Sequence, residues 1–259
     1  MSSHIGAMEV IELPPAGYKL PLNLRCLLLG CSQAGKSTFV AKLLQNKSTV
    51  FQQPYDKFSY CSPHLGGAAL SAAHDLEYKQ NLERWASPVD IQFFNYILSE
   101  DELLDIVNSM PGSKILFVVD DFGLKIFQTD LVYKLYTSMS SHKSVDSVVS
   151  IHNVTTGPAS GKWFQAVKQN FNFLVVFQNL ANRDSIGQVS KTIFPYAQNF
   201  IQRCINKATE LTGNYSHVCI DASMQNPLNC RFGVRSNIFR EHGLPTLLFK
   251  NPKIYYGGR

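Results

Sequence analysis

The sequence has no apolar run long enough to cross a bilayer. The longest, such as ILFVV at 115–119, fall far short of the ~20 residues that a spanning helix needs. No signal-peptide-like apolar stretch opens the chain, so no secretory leader is expected. The six cysteines include no C-x-x-C pair, so neither a zinc site nor a disulfide framework is indicated, and a reducing compartment fits best. Internal repeats and low-complexity linkers are also missing. At 259 residues the chain is long enough for one large α/β domain. Its formal net charge of +5 is a modest bias: it favours an anionic partner such as nucleic acid, and equally fits a mildly basic soluble protein.

What the sequence does hold is concentrated at Leu27 to Thr38, LLLGCSQAGKST. Gly30, Gly35, Lys36 and Ser37 fill the phosphate-loop pattern G-x-x-x-x-G-K-[ST], the Walker A motif. Glycine permits backbone angles that a Cβ opposes, and the loop N–H groups then turn inward to cradle phosphate oxygens. The expected nucleotide-binding set is Gly30, Cys31, Ser32, Gln33, Ala34, Gly35, Lys36, Ser37 and Thr38. Lys36 is expected to reach the β- and γ-phosphates of ATP, and the Ser37 hydroxyl to ligate Mg²⁺. A helix starting near Gly35 adds its positive dipole end. The context agrees: RCLLL at 25–29 suits a buried parallel strand, and Phe39, Val40, Leu43 and Leu44 recur at helical spacing over 37–45.

Strand-like runs then alternate with helical patterns. Strands are expected at 58–61, 91–96, 115–119, 145–151, 171–177, 217–221 and 231–235. Helices are expected at 68–85, from the capping box SEDE at 99–102 to near Pro111, at 130–140 after Thr129 as N-cap, at 162–169, 186–194 and 197–211. This alternation argues for an α/β fold with a mostly parallel central sheet flanked by helices on both faces, and the phosphate loop within it for a P-loop NTPase. Three divisions are expected: an extended lead-in over 1–20 with Pro14 and Pro15, a P-loop ATPase domain over 21–240, and a basic tail over 241–259.

A second motif, ILFVVDDF at 115–122, is a buried strand ending in two aspartates, a Walker B-like arrangement. Enzymes with a phosphate loop hold Mg²⁺ with an acidic residue at such a strand end. Asp120 is expected to take that role through a water, and Asp121 to orient or deprotonate the attacking water. In the alternative reading Asp121 only caps the turn into Gly123. A third strand end runs into His152 and Asn153. Motor ATPases often place a γ-phosphate-sensing polar residue at the tip of the strand beside the acidic one, and either residue suits that place; a solvated loop is the other reading.

The order of these motifs resembles the genome-packaging ATPases of the FtsK/HerA superfamily, and most of all the branch found in large eukaryotic DNA viruses, virophages and Maverick/Polinton-like elements. The likeness is carried by GCSQAGKS at 30–37, FVVDDF at 117–122, SSHKSVDSVVSIHN at 140–153, FNFLVVFQN at 171–179, NRDSIGQVSKTIFP at 182–195, Ala208-Thr209, YSHVCID at 215–221 and RFGVRSNIF at 231–239. It spans roughly residues 20 to 240 and implies the RecA/FtsK-HerA-like form of the P-loop fold. It implies a homo-oligomeric ring, hexameric or pentameric, that pulls double-stranded DNA into a preformed capsid and meets a capsid or portal vertex protein. It also implies residence in the host cytoplasm or viral factory, or association with the virion. Two departures stand out. The family commonly has Gln where this chain has His152. It has an Arg where this chain has Gln165, with Lys162 and Lys168 nearby; Arg183 is the candidate substitute for the missing cation, a surface salt-bridge residue being the other reading. Lys162, Lys168, Lys250, Lys253 and Arg259 are weak candidates for DNA contact.

Competing readings are fewer. No cluster of lid arginines supports a small-molecule kinase, and no extra domain supports a helicase. A weakly hydrolysing, nucleotide-gated scaffold that binds DNA or capsid remains the main alternative.

Overall fold

A computed structural model describes residues 11–12, 18–65, 73–140, 143–152, 167, 170–178, 183–194, 199–212, 216–223, 233–236, 238–239 and 246–249. Ten strands form one sheet: β1 (Ile11–Glu12), β2 (Arg25–Leu29), β3 (Lys57–Cys61), β4 (Asp90–Phe94), β5 (Ile115–Val119), β6 (Val145–Ile151), β7 (Phe173–Phe177), β8 (His217–Asp221), β9 (Gly233–Arg235) and β10 (Thr246–Phe249). Their spatial order is β1-β10-β9-β8-β7-β2-β6-β5-β3-β4. The stretch from β4 to β7 is parallel throughout, and the remaining pairs are antiparallel. The expected mostly parallel α/β architecture, that of P-loop NTPases, is therefore present.

The helices are α1 (Lys36–Gln45), α2 (Lys47–Val50), α3 (Ala73–Ala86), α4 (Glu100–Ser109), α5 (Asp130–Lys134), α6 (Arg183–Ile193) and α7 (Phe200–Thr212), with a 3-10 segment at Gly123–Gln128. They cover both faces of the sheet because the strand side chains alternate and both sets are apolar. In β2, Leu27 and Leu29 join a core that includes residues of α4 to α7. Cys26 and Leu28 join the opposite core, with α1 and Leu82 and Ala86 of α3.

Several boundaries move from expectation. The expected strand 91–96 closes at Phe94, and the expected helix 186–194 begins earlier, at Arg183. The helix expected over 130–140 is α-helical only to Lys134 and continues as a π-helical turn, Leu135–Met139. Tyr136 in that turn is fully buried, and its hydroxyl donates to the Cys26 carbonyl at 2.6 Å. The capping box forms as expected: the Ser99 hydroxyl accepts from Glu102 N–H, and the Glu102 carboxylate accepts from Ser99 N–H. The sheet also recruits strands from the segments expected as lead-in and tail, β1 pairing with β10. At two and four residues, neither carries enough alternation to be read in advance. The expected helix over 162–169 lies almost wholly outside the described residues.

At the end of the sheet opposite the strand tips discussed below, Asp146 is buried. It accepts from the Tyr55 hydroxyl at 2.5 Å and meets the Lys114 ammonium at 3.2 Å. Burial raises its pKa, and Lys114 followed by the Tyr55 bond pulls it back.

Candidate functional site

Parallel register brings four strand ends to one edge. Leu29 pairs with Ile151, Val119 with Val149, and Cys61 with Val119. The segments that follow therefore converge: the loop from Gly30, Ser62 to His64, Asp120-Asp121 and His152. In open α/β sheets ligands bind outside the carboxyl ends of the strands. Because β6 lies between β2 and β5, its tip falls between the phosphate loop and the paired aspartates.

The loop is built as its glycines require. Gly30 donates its N–H to the Ile151 carbonyl at 3.1 Å, and a Cβ placed on it would lie 2.8 Å from Phe177 Cβ. Gly35 has φ +98°, a left-handed conformation that glycine adopts without steric cost. Gln33 is also left-handed, at φ 62°. Helix α1 then starts with no side-chain cap and no acidic residue in its first turn. The positive end of its dipole, and the first-turn N–H groups that lack helical acceptors, are left for an anion.

Lys36 is buried, at 5% exposure. Its ammonium donates to the carbonyls of Gly30 at 2.8 Å and Cys31 at 2.6 Å. Burial lowers its pKa from the usual lysine value, while Asp120 and Asp121 act to raise it. Lys36 and both carboxylates therefore share one electrostatic neighbourhood. Ser32, Gln33, Gly35, Lys36, Ser37, Thr38 and Asp121 line an open cleft. Gly30, Cys31 and Ala34, which were also expected to bind nucleotide, are not in that lining. Ala34 is buried against the α1-side core and Cys31 packs on the same core.

The two aspartates differ sharply. Asp120 is 3% exposed. One of its oxygens accepts from the Ser150 hydroxyl at 2.5 Å and the other from the Tyr60 hydroxyl at 2.9 Å. Asp121 reaches the cleft, and its backbone is left-handed, at φ 61°. Aspartate tolerates that conformation better than most residues do, and such strain tends to collect at functional sites. Its N–H donates to Ser150 Oγ at 3.1 Å. Its carboxylate contacts His152 Nε2 at 2.7 Å and His64 Nε2 at 3.4 Å.

Lys36, Ser37, Asp120, Asp121 and His152 are thus brought together. Asn153 lies outside the described residues. Arg183 is the first residue of α6, and its side chain is not described. Sequence reasoning missed His64, Tyr60, Tyr78 and Ser150. The available signal for two of them was a polar residue inside a buried strand: Tyr60 in KFSYC and Ser150 in VDSVVSI.

Mg²⁺ fits this donor set. Among the described residues no three His, Cys, Asp or Glu side chains form a metal cage. Mg²⁺ asks for none, since it keeps several waters and uses one or two protein oxygens together with substrate phosphates. Ser37 and Asp120 supply oxygen donors of that kind. No described helix is long and apolar enough to cross a membrane.

No protein-family model and no curated protein sequence matches the chain. Among solved structures it is similar to the genome packaging NTPase B204 from Sulfolobus turreted icosahedral virus 2 in complex with ATP-gammaS. The identity is 12% over 88% of this chain and 100% of that one, with a TM-score of 0.46. It is also similar to the flagellar accessory protein FlaH from Methanocaldococcus jannaschii, at 13% identity over 61% of this chain and 72% of that one, with a TM-score of 0.37.

Proposed function

We propose that the chain is an ATP-hydrolysing motor of the FtsK/HerA type that moves double-stranded DNA into a preformed capsid. One observation carries the hydrolytic part of this reading. A phosphate loop and a histidine-held aspartate, Asp121, face the same cleft across the tip of β6. DNA and capsid as partners rest on the sequence resemblance and its late segments, NRDSIGQVSKTIFP and RFGVRSNIF.

In this reading Lys36 leaves the loop carbonyls for the β- and γ-phosphate oxygens, which replace two neutral acceptors by charged ones. The N–H groups of the loop and the first turn of α1 hold the remaining phosphate oxygens. Ser37 and Asp120 would hold Mg²⁺, Asp120 through a water. The chemistry that Mg²⁺ would supply there is neutralisation of the charge that develops on the phosphates. Asp121 orients the attacking water and accepts its proton, while His152 fixes the carboxylate. An Arg from a neighbouring subunit completes the site, so that turnover depends on ring assembly. Such a cation is worth orders of magnitude in rate.

Displacement of a third strand from a triplex on double-stranded DNA tests the motor directly. ATP-dependent displacement that is lost in Lys36→Ala is expected. The second reading, a nucleotide-gated scaffold, draws on Gln165 standing where the family has Arg. ATP-dependent ring formation on DNA with neither displacement nor turnover would establish the scaffold instead.

A further inference from the structure

Asp120 and Ser37 stand on different elements, and both would serve Mg²⁺ in the reading above, on which this inference rests. Three contacts run between them. The Tyr60 hydroxyl donates to Asp120 Oδ2 at 2.9 Å. The Tyr60 and Tyr78 hydroxyls lie 3.2 Å apart. The Tyr78 hydroxyl donates to the Ser37 carbonyl at 2.8 Å. Tyr60 is fully buried.

We infer that Tyr60 and Tyr78 are positioning residues that set Asp120 and Ser37 relative to one another for the metal. Proton counting gives the reason. Two hydroxyls bring two protons to three contacts. An ionised Asp120 can only accept, so the Tyr60 proton is committed to it. The single Tyr78 proton then serves two acceptors, the Ser37 carbonyl at the shorter distance and the Tyr60 oxygen at the longer one. A shift of Ser37 away from Tyr78 turns that proton toward Tyr60, and a Tyr60 hydroxyl that accepts a bond donates more strongly to Asp120. Helix α3, which carries Tyr78, is thereby tied to both groups. Ser150 holds the other oxygen of Asp120, so rotation of the carboxylate breaks one bond or the other. Partners of this kind behind a metal ligand alter metal affinity by about 10–100-fold when removed.

The test uses Tyr60→Phe and Tyr78→Phe in the full chain; both keep the ring and its volume. Mn²⁺ binding in the presence of a non-hydrolysable ATP analogue is followed by electron paramagnetic resonance. Binding of a fluorescent ATP analogue in EDTA, and thermal unfolding, are measured alongside. In Tyr60→Phe we expect Mn²⁺ to bind about 10-fold more weakly, while metal-free nucleotide affinity stays at the wild-type level. Tyr78→Phe should show a smaller loss of Mn²⁺ affinity, about threefold. Wild-type Mn²⁺ affinity in both variants, whatever happens to thermal stability, would reduce the pair to core packing and overturn the inference alone. A wild-type protein that binds no nucleotide would overturn the reading of the site, and this inference with it.

Discussion

Replacing Gly30 with Ala tests how the phosphate loop is seated. The added Cβ would sit 2.8 Å from Phe177 Cβ, 3.1 Å from Ala34 Cβ and 3.3 Å from Phe177 Cδ2. Ordinary van der Waals contact begins near 3.4 Å, so the first gap must open by more than half an ångström. Phe177 ends β7, is 2% exposed, and is held between β2 and β8. Its Cβ is fixed by backbone, so the displacement falls on the loop and on the carbonyls that hold Lys36. Gly30 itself does not have a positive φ, so the substitution brings crowding without backbone strain. Overpacking of this kind costs about 1–3 kcal/mol, which for a chain of this size lowers Tm by roughly 2–12 °C. Circular-dichroism melting, with fluorescent-nucleotide binding alongside, reads both consequences, and the affinity should fall with the Tm. Because the clashing atom is a Cβ, adding Phe177→Leu should leave most of the loss in place. A Gly30→Ala protein with wild-type Tm and affinity would refute the reasoning, and full rescue by Phe177→Leu would move the conflict to the ring.

Other expectations follow from single contacts. Gly187→Ala in α6 meets nothing within 4 Å and should raise stability by about 0.5–1 kcal/mol in chemical denaturation, a control for glycine replacement without crowding. Lys114→Met strips the cation from Asp146, whose folded pKa is already raised. The loss should be roughly 3 kcal/mol at neutral pH. A carboxyl raised on folding favours the folded state below its unfolded pKa and loses that advantage as pH rises through the folded value, so the defect should shrink on acidification; an equal loss at pH 4 and pH 7 would contradict this. His152→Ala removes the closer of the two histidine contacts to Asp121, leaving His64 at 3.4 Å, and should lower kcat about 10²-fold through misplacement of the carboxylate, with the KM for ATP little changed. His152→Gln keeps a donor and should retain most of the rate.

The parts of the site that were legible are those written locally. An apolar run, two glycines at fixed spacing and helical periodicity at Phe39, Val40, Leu43 and Leu44 fix β2, the loop and α1. Ser99 and Glu102 announce α4 because both bonds of a capping box lie within four residues. Asp120 and Asp121 could be read because they end the most apolar strand. The order of the sheet was not legible, and the rest of the site depends on it. His64 meets Asp121 only because β3 is the neighbour of β5. Tyr78 meets Tyr60 only because α3 packs beside α1 over the strands. Nothing within a short window of sequence encodes such meetings. On the antiparallel side β8 and β9 were legible, as the strands expected at 217–221 and 231–235, whereas β1 and β10, at two and four residues, are too short for a period to show.

The central claim is that this site hydrolyses ATP and that DNA drives it. Steady-state hydrolysis by the full chain, with and without double-stranded DNA and with Lys36→Ala and Asp121→Asn in parallel, tests it most directly. The account predicts turnover that rises with DNA and is lost in both variants. Tight ATP binding without turnover, under conditions where a ring has assembled on DNA, would contradict it and leave a nucleotide-gated scaffold in its place.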